Sequence, residues 1–348
     1  MTGYKDIMSN INTISEFLLH AGTDFRVFDM GRTIRPMTGQ AFFDIESSIT
    51  VAPHPRQQHA WFGLVFFQAL HTQTHFVWFV KLPLDERGAV VAAPRKQFLD
   101  IIVTALAQEV NQALPQQQQL PDNPYTFVPS QQQLADFNSA CRYTLNLPAS
   151  SHFADVLTYL KNPQTAPWQT LQLQGIADLA VRVNEDPVSS LLEANFTQLH
   201  LEVQQAICRS LENYHVLDTM TQVLGDWWLN NPDNRHIVIA VLRATAQSSA
   251  IESVKALLMR VLTCQWGDDT DILMLLAARH WPKLNDPHIL NLYISKLCAQ
   301  DHDLFSGLYR DLVQIPLIRT SILGILQWQD KSAELTDAIA NLNQSHKL

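Results

Sequence analysis

Cysteine, cationic residues and long apolar runs are all scarce in this sequence, and each scarcity excludes something. Cys141, Cys208, Cys264 and Cys298 are the only cysteines in 348 residues. They lie far apart in helical patterns, which rules out a disulfide framework or a zinc spacing and suits small core residues. Lys and Arg number 24 against 33 Asp and Glu, a net charge of −9. No basic run or stripe exists to neutralise phosphates, so nucleic acid and an anionic membrane surface are both disfavoured as partners. The longest strongly apolar runs, such as Ile272–Ala278, fall far below the ~20 residues needed to cross a bilayer. Asp6, Asn10, Asn12 and Glu16 interrupt the first 21 residues, where a secretory signal would be continuously apolar. A cytoplasmic protein is expected. No catalytic signature is present, and no cofactor or metal is expected.

The length exceeds the roughly 100 to 200 residues of one typical domain, so two units are expected. Charge divides unevenly between them. Residues 1–150 carry 10 basic against 12 acidic side chains, and residues 151–348 carry 14 against 21.

Thr13 and Glu16 have capping-box spacing, predicting a short helix to about Ala21 that Gly22 ends. Phe25–Met30 and Thr33–Met37 flank Gly31-Arg32 as a tight hairpin, with Pro36 suited to an edge strand. A second helix is expected over Gly39–Ser47. Trp61–Phe67 and His75–Leu82, joined through His71-Thr72-Gln73-Thr74, are the clearest strand pair. They lack polar alternation: Phe62, Leu64 and Phe66 point one way while Trp61, Val65 and Phe67 point the other, so both faces need cover. A helix from Arg95 to Ala113 covers one face through Phe98, Ile102, Ala105 and Val110. The first helix, the C-terminal region, a second copy of the chain or a partner covers the other. Pro115 to Pro124, with Gln116–Gln119, has linker composition. The expectation is therefore an α+β domain of about four antiparallel strands over residues 1–114, a Gln/Pro-rich linker over 115–129, and an all-α domain over 130–348.

After a helix at Ser130–Thr144 and the break at Pro148, twelve further helical segments follow, near 153–162, 168–184, 187–197, 200–215, 217–229, 233–247, 250–263, 269–281, 287–299, 302–313, 317–328 and 332–343. Val203, Ile207, Leu211 and Tyr214 illustrate the period. Asp186-Pro187, Asn231-Pro232 and Asp286-Pro287 stop and restart helices by supplying a cap and a pre-set first-turn φ. Ser249 and Glu252 form a second capping box. Paired, the helices recur about every 33 residues, the range of a HEAT-like two-helix repeat, although no repeat consensus is visible. An irregular bundle is the rival architecture.

Candidate sites are few, and most have a plain alternative. Arg32, Arg35, Lys81, Asp85, Glu86 and Arg87 are expected as a polar cluster at one sheet end, suited to an anionic group or peptide terminus, or else as a solvated turn. Trp227, Trp228, Trp266, Trp281 and Trp328 fall near helix ends, where they form partner-binding aromatics or inter-helix packing. His71 and His75, with His54 and His59, would be needed for a zinc site. Asp268-Asp269-Thr270-Asp271 lacks the spacing of a calcium loop and suits a helix N-terminus. Cys141 and His152 as nucleophile and base have nothing to fix their geometry.

Asp29-Met30-Gly31-Arg32, Ala60-Trp61-Phe62-Gly63 and Trp78-Phe79-Val80-Lys81-Leu82-Pro83-Leu84-Asp85 together resemble an uncharacterised bacterial family of unknown function. The resemblance implies a strand-rich N-terminal part and a long helical C-terminal part, and no activity. The order of elements before residue 114 is also similar to that of small dimeric chaperones that hold secretion substrates. The leading expectation is a non-catalytic interaction or scaffold protein that binds an unidentified protein or peptide through an acidic helical surface. A homodimer through the N-terminal sheet is compatible with it. The alternatives are an enzyme with a site between the domains, using Asp29, Lys81, Asp85 or His59, and a peptide-holding chaperone.

Overall fold

A computed structural model describes residues 11–68, 75–109 and 121–344. Two compact units divide the chain, residues 1–130 and 131–348.

The first unit is built on one antiparallel sheet. Its elements are helix α1 (Ile14–His20), strands β1 (Thr23–Asp29) and β2 (Arg35–Met37), helix α2 (Gly39–Glu46), strands β3 (His59–Gln68) and β4 (His75–Pro83), and helix α3 (Ala92–Glu109). The strand order is β2-β1-β3-β4. The expected capping box opens α1: Thr13 accepts from the Glu16 amide, and Glu16 returns to the backbone of Thr13. Glu46, at the end of α2, adds a second cap by accepting from the amides of Ile14 and Ser15 at 2.7 and 2.9 Å.

Register settles the two-faced character of β3. Phe62 lies opposite Val80 and Leu64 opposite Trp78, with Val27 of β1 beside Leu64, so these side chains share one face. The buried cluster of this unit joins that face to Phe17 and Leu18 of α1, Phe42 of α2, and Phe98 and Ile102 of α3. On the other face Phe28, Val65 and Phe67 are also buried. Pro36 does sit on an edge strand, opposite Phe28.

Two local expectations are corrected. The β1–β2 connection is a five-residue loop, since pairing stops at Asp29 and Arg35; Asp29 bonds the Gly31 amide and so closes a local turn in place of a tight hairpin. Residues 125–127 are no free linker, because Lys81 donates its amide to the Tyr125 carbonyl and Phe127 donates to that of Phe79, extending the β4 edge. Burial of Tyr125 in the core and packing of Phe127 against Trp61 favour that pairing. The turn at residues 71–74, Val110 and residues 115–120 of the expected linker lie outside the described residues.

The second unit contains thirteen α-helices among the described residues and no strand: α4 (Gln131–Thr144), α5 (His152–Lys161), α6 (Leu173–Ala180), α7 (Val188–Asn195), α8 (Leu201–Leu211), α9 (Asp218–Leu229), α10 (Arg235–Ala244), α11 (Ile251–Thr263), α12 (Thr270–Arg279), α13 (Pro287–Leu297), α14 (His302–Val313), α15 (Arg319–Gly324) and α16 (Ala333–Gln344). They pack in two rows. In one, α4, α6, α8, α10, α12, α14 and α16 each touch the next; in the other, α5, α7, α9, α11 and α13 do the same. Chain neighbours such as α5 with α6 and α9 with α10 join the rows. First-row helices from α6 onward begin 28 to 35 residues apart. The all-round apolar runs Ile237–Leu242 and Ile272–Ala278 fit this packing, since α10 and α12 have row neighbours on both sides.

Several helices are shorter than expected. The segment 168–184 contains a 3-10 turn at Trp168–Thr170 before α6, and 317–328 ends in another at Ile325–Gln327. Asp286 caps α13 as foreseen, accepting from the amides of His288 and Ile289. Asn231-Pro232 does not start α10; Asn234 does. Ser249 forms no capping box, since its hydroxyl is drawn to the Val216 carbonyl and the Asp218 carboxylate across the helix pair.

Candidate functional site

The expected polar cluster does not assemble as one group. Arg35 lies opposite Asp29, Asp29 opposite Phe62 and Phe62 opposite Val80, so Lys81 projects from the other sheet face. Lys81 stands 5.6 Å from the centre of the Trp61 ring, and Arg56 stacks on the same ring at 3.9 Å. Asp85 closes its own turn by accepting from the amides of Arg87 and Ala89, and Glu86 and Arg87 are exposed there.

Arg32 and Arg35 belong instead to a corner around Asp29. This carboxylate, 6% exposed, accepts from the Gly31 amide and lies 2.8 Å from His54 Nδ1. Buried Arg32 donates from Nε to the Pro55 carbonyl at 3.0 Å. Burial lowers the Arg35 pKa, and the charge of Asp29 opposes that shift. The packing requires glycine at 31, where a Cβ would lie 1.9 Å from the His54 carbonyl oxygen. This corner locks two loops together. The groups suggested for an enzyme are separately engaged: Asp29 with His54, Lys81 on Trp61, Asp85 in its turn, and His59 Nδ1 at 2.7 Å from the Gln57 carbonyl.

The tryptophan expectation also changes. Trp227, Trp228 and Trp281 are buried at 5, 3 and 7% exposure, and Trp266 is half-buried with its indole N–H on the Pro232 carbonyl. Their helix-end positions place them where successive pairs meet, so the rings pack inside. Cys141 is buried and its thiol is pushed up to about 11, away from a reactive thiolate, while His152 is exposed. Asp268, Asp269 and Asp271 are held by cations: Asp268 by Lys296 at 3.0 Å, and Asp269 and Asp271 by Arg235 at 2.6 and 2.5 Å. Among the described residues, no group of three or more His, Cys, Asp or Glu is placed to hold a metal. His71 lies outside them.

Two features of the helical unit carried no motif. One is a set of polar ties between successive helix pairs. Ser139 with Asp178, Asn184 with His215, Glu212 with Arg243, Arg235 with Asp269 and Lys296 with Asp268 are 28 to 39 residues apart in sequence. Glu212 spans further, binding Arg243 at 2.6 Å and Arg279 at 2.8 Å, and so joins α8, α10 and α12 near their C-terminal ends.

The other is a cleft of about 380 Å³ bounded by the turn after α7, α8, and the loop between α9 and α10. Leu199, Leu201, Trp227 and Ile237 form its apolar part; Gln204, Asn230, Asn231 and Asn234 supply amides. A second, more open depression shares the three asparagines and follows the loop to His236. The loop is braced by the next helix pair, through Trp266 on Pro232, Gln265 on Asp233 and Arg235 on Asp269. The sequence signal was the amide-rich run Asn230-Asn231-Pro232-Asp233-Asn234, which a search for helix stops reads only as punctuation.

The family model described as "Protein of unknown function (DUF3549)" matches residues 9–343. The chain belongs to this family. No curated protein and no solved structure matches it. Membership brings no activity with it, and no helix among the described residues is long and apolar enough to cross a membrane.

Proposed function

We propose that this DUF3549 protein is a non-catalytic interaction protein whose helical unit is a HEAT-like solenoid that docks a protein partner, with the N-terminal unit as a second contact surface. The observation that carries this is the two-row packing, in which each helix touches the next member of its own row. Stacked pairs of this kind present a long continuous surface made of many residues, which suits extended macromolecular contact better than enclosure of a small substrate. The charge balance of residues 151–348, 14 basic against 21 acidic, favours a partner whose docking segment is neutral or basic. The separate engagement of Asp29, Lys81, Asp85 and His59 supports a non-catalytic role.

The test is affinity capture with the tagged full chain and with a chain ending at residue 130. A partner retained by the full chain, lost on truncation and rebound by purified full-length protein supports the proposal. Equal retention by residues 1–130 alone overturns it.

A further inference from the structure

The cleft beside Trp227 has a hydrogen-bonding pattern that identifies a class of ligand. Asn231 donates one Nδ2 hydrogen to the Trp227 carbonyl at 2.8 Å, which leaves its Oδ1 and a second N–H for a ligand. Gln204 donates one Nε2 hydrogen to the Phe196 carbonyl at 2.8 Å, leaving Oε1 and a second N–H. Asn234 does the reverse: its Oδ1 caps α10 by accepting from the amides of His236 and Ile237, which presents Nδ2. These orientations are fixed because each partner is a backbone group with only one possible role. The amides that line the cleft therefore keep both acceptor and donor capacity in set orientations, beside Leu199, Leu201 and Ile237.

We infer that this cleft binds an extended, uncharged polypeptide segment through its main chain. An extended backbone supplies both N–H and C=O groups, the complement of amides presented in both senses, and its aliphatic side chains suit the leucine and isoleucine floor. No charged side chain lines the cleft, which disfavours a phosphorylated or acidic ligand. The rim residue Arg235 is already bound to Asp269 and Asp271. A sugar would need an open aromatic face, and Trp227 is 5% exposed and packed edge-on with Phe196 at 5.1 Å. The loop that carries the asparagines is braced from the following helix pair, so the pattern exists before a ligand arrives.

This inference rests on the interaction role proposed above and names its partner class. Asn234→Asp tests this, because aspartate caps a helix as well as asparagine does while the presented donor becomes a negatively charged acceptor. The probe is an array of fluorescein-labelled uncharged decapeptides rich in Leu, Val and Ser, read by fluorescence anisotropy on the full chain. Peptides that bind should lose about tenfold in affinity to N234D, and a similar amount when their central amides are N-methylated, with the melting temperature of N234D unchanged. Peptide binding insensitive to both changes overturns the cleft assignment but leaves the interaction role standing. Failure of every peptide, or N234D-sensitive binding of a neutral oligosaccharide in its place, overturns the assignment outright. The truncation experiment decides the broader role independently.

Discussion

Asp136 of α4 is a carboxylate enclosed at 2% exposure with one oxygen, Oδ1, lacking any hydrogen-bond partner. Burial raises its pKa to about 7, although hydrogen bonds from Ser210, Gln132 and Asn213 oppose the shift. A buried acid whose pKa is raised is fully tolerated below the unfolded value of 3.8 and becomes a burden as pH climbs to about 7. The stability of the natural chain relative to Asp136→Asn should therefore fall across that window and level off above it. The total change is a few kcal/mol, about 2 to 4, measured by denaturant unfolding at a series of pH values. A flat difference would show that Asp136 stays ionised in the fold. His280 acts with the opposite sign: complete burial lowers its pKa to about 3, so its contribution is lost as pH falls from 6.5 toward 3. At Gly31 the constraint is steric. Gly31→Ala drives a methyl into the His54 carbonyl and should destabilise the protein by more than about 2 kcal/mol, visible as a lower denaturation midpoint; an unchanged midpoint would mean the corner is loose.

At the level of elements, Glu212 makes a sharper claim than any single helix. It grips arginines from α10 and α12, so Glu212→Gln and Arg279→Gln should couple in a double-mutant cycle by about 1 kcal/mol despite lying 67 residues apart. Additivity within about 0.3 kcal/mol would deny the clamp a role in joining the row. Much at this scale was legible in the sequence. The Thr13–Glu16 box, the Asp286-Pro287 start and the two apolar faces of β3 are local patterns whose physical causes act within a few residues. Ser249 was misread as a cap because its partners, Val216 and Asp218, come from the preceding pair and leave no local trace. Trp227, Trp228 and Trp281 were open to two assignments for a related reason, since position near a helix end does not say which side the next helix will cover. The cleft has no motif because amides have no spacing rule; its meaning lies in how the fold orients each amide.

For the helical unit as a whole, row packing means that each helix depends mainly on its neighbours in the stack. Amide hydrogen exchange should then be slowest in α8, α10 and α12, with α15 and α16 exchanging sooner, as read by mass spectrometry of the full chain. A single cooperative exchange rate across all thirteen helices would point to a closed bundle. The ties between pairs carry a further consequence. Trp266 reaches the carbonyl of Pro232, Asn184 that of His215, and Lys283 that of Ala246. Since any amino acid furnishes a carbonyl oxygen, the receiving residue at these three contacts is free to mutate while the reaching one is held, unlike side-chain pairs such as Arg235 with Asp269. Contacts so one-sided leave half of each pairing unwritten in the letters while the packing itself endures.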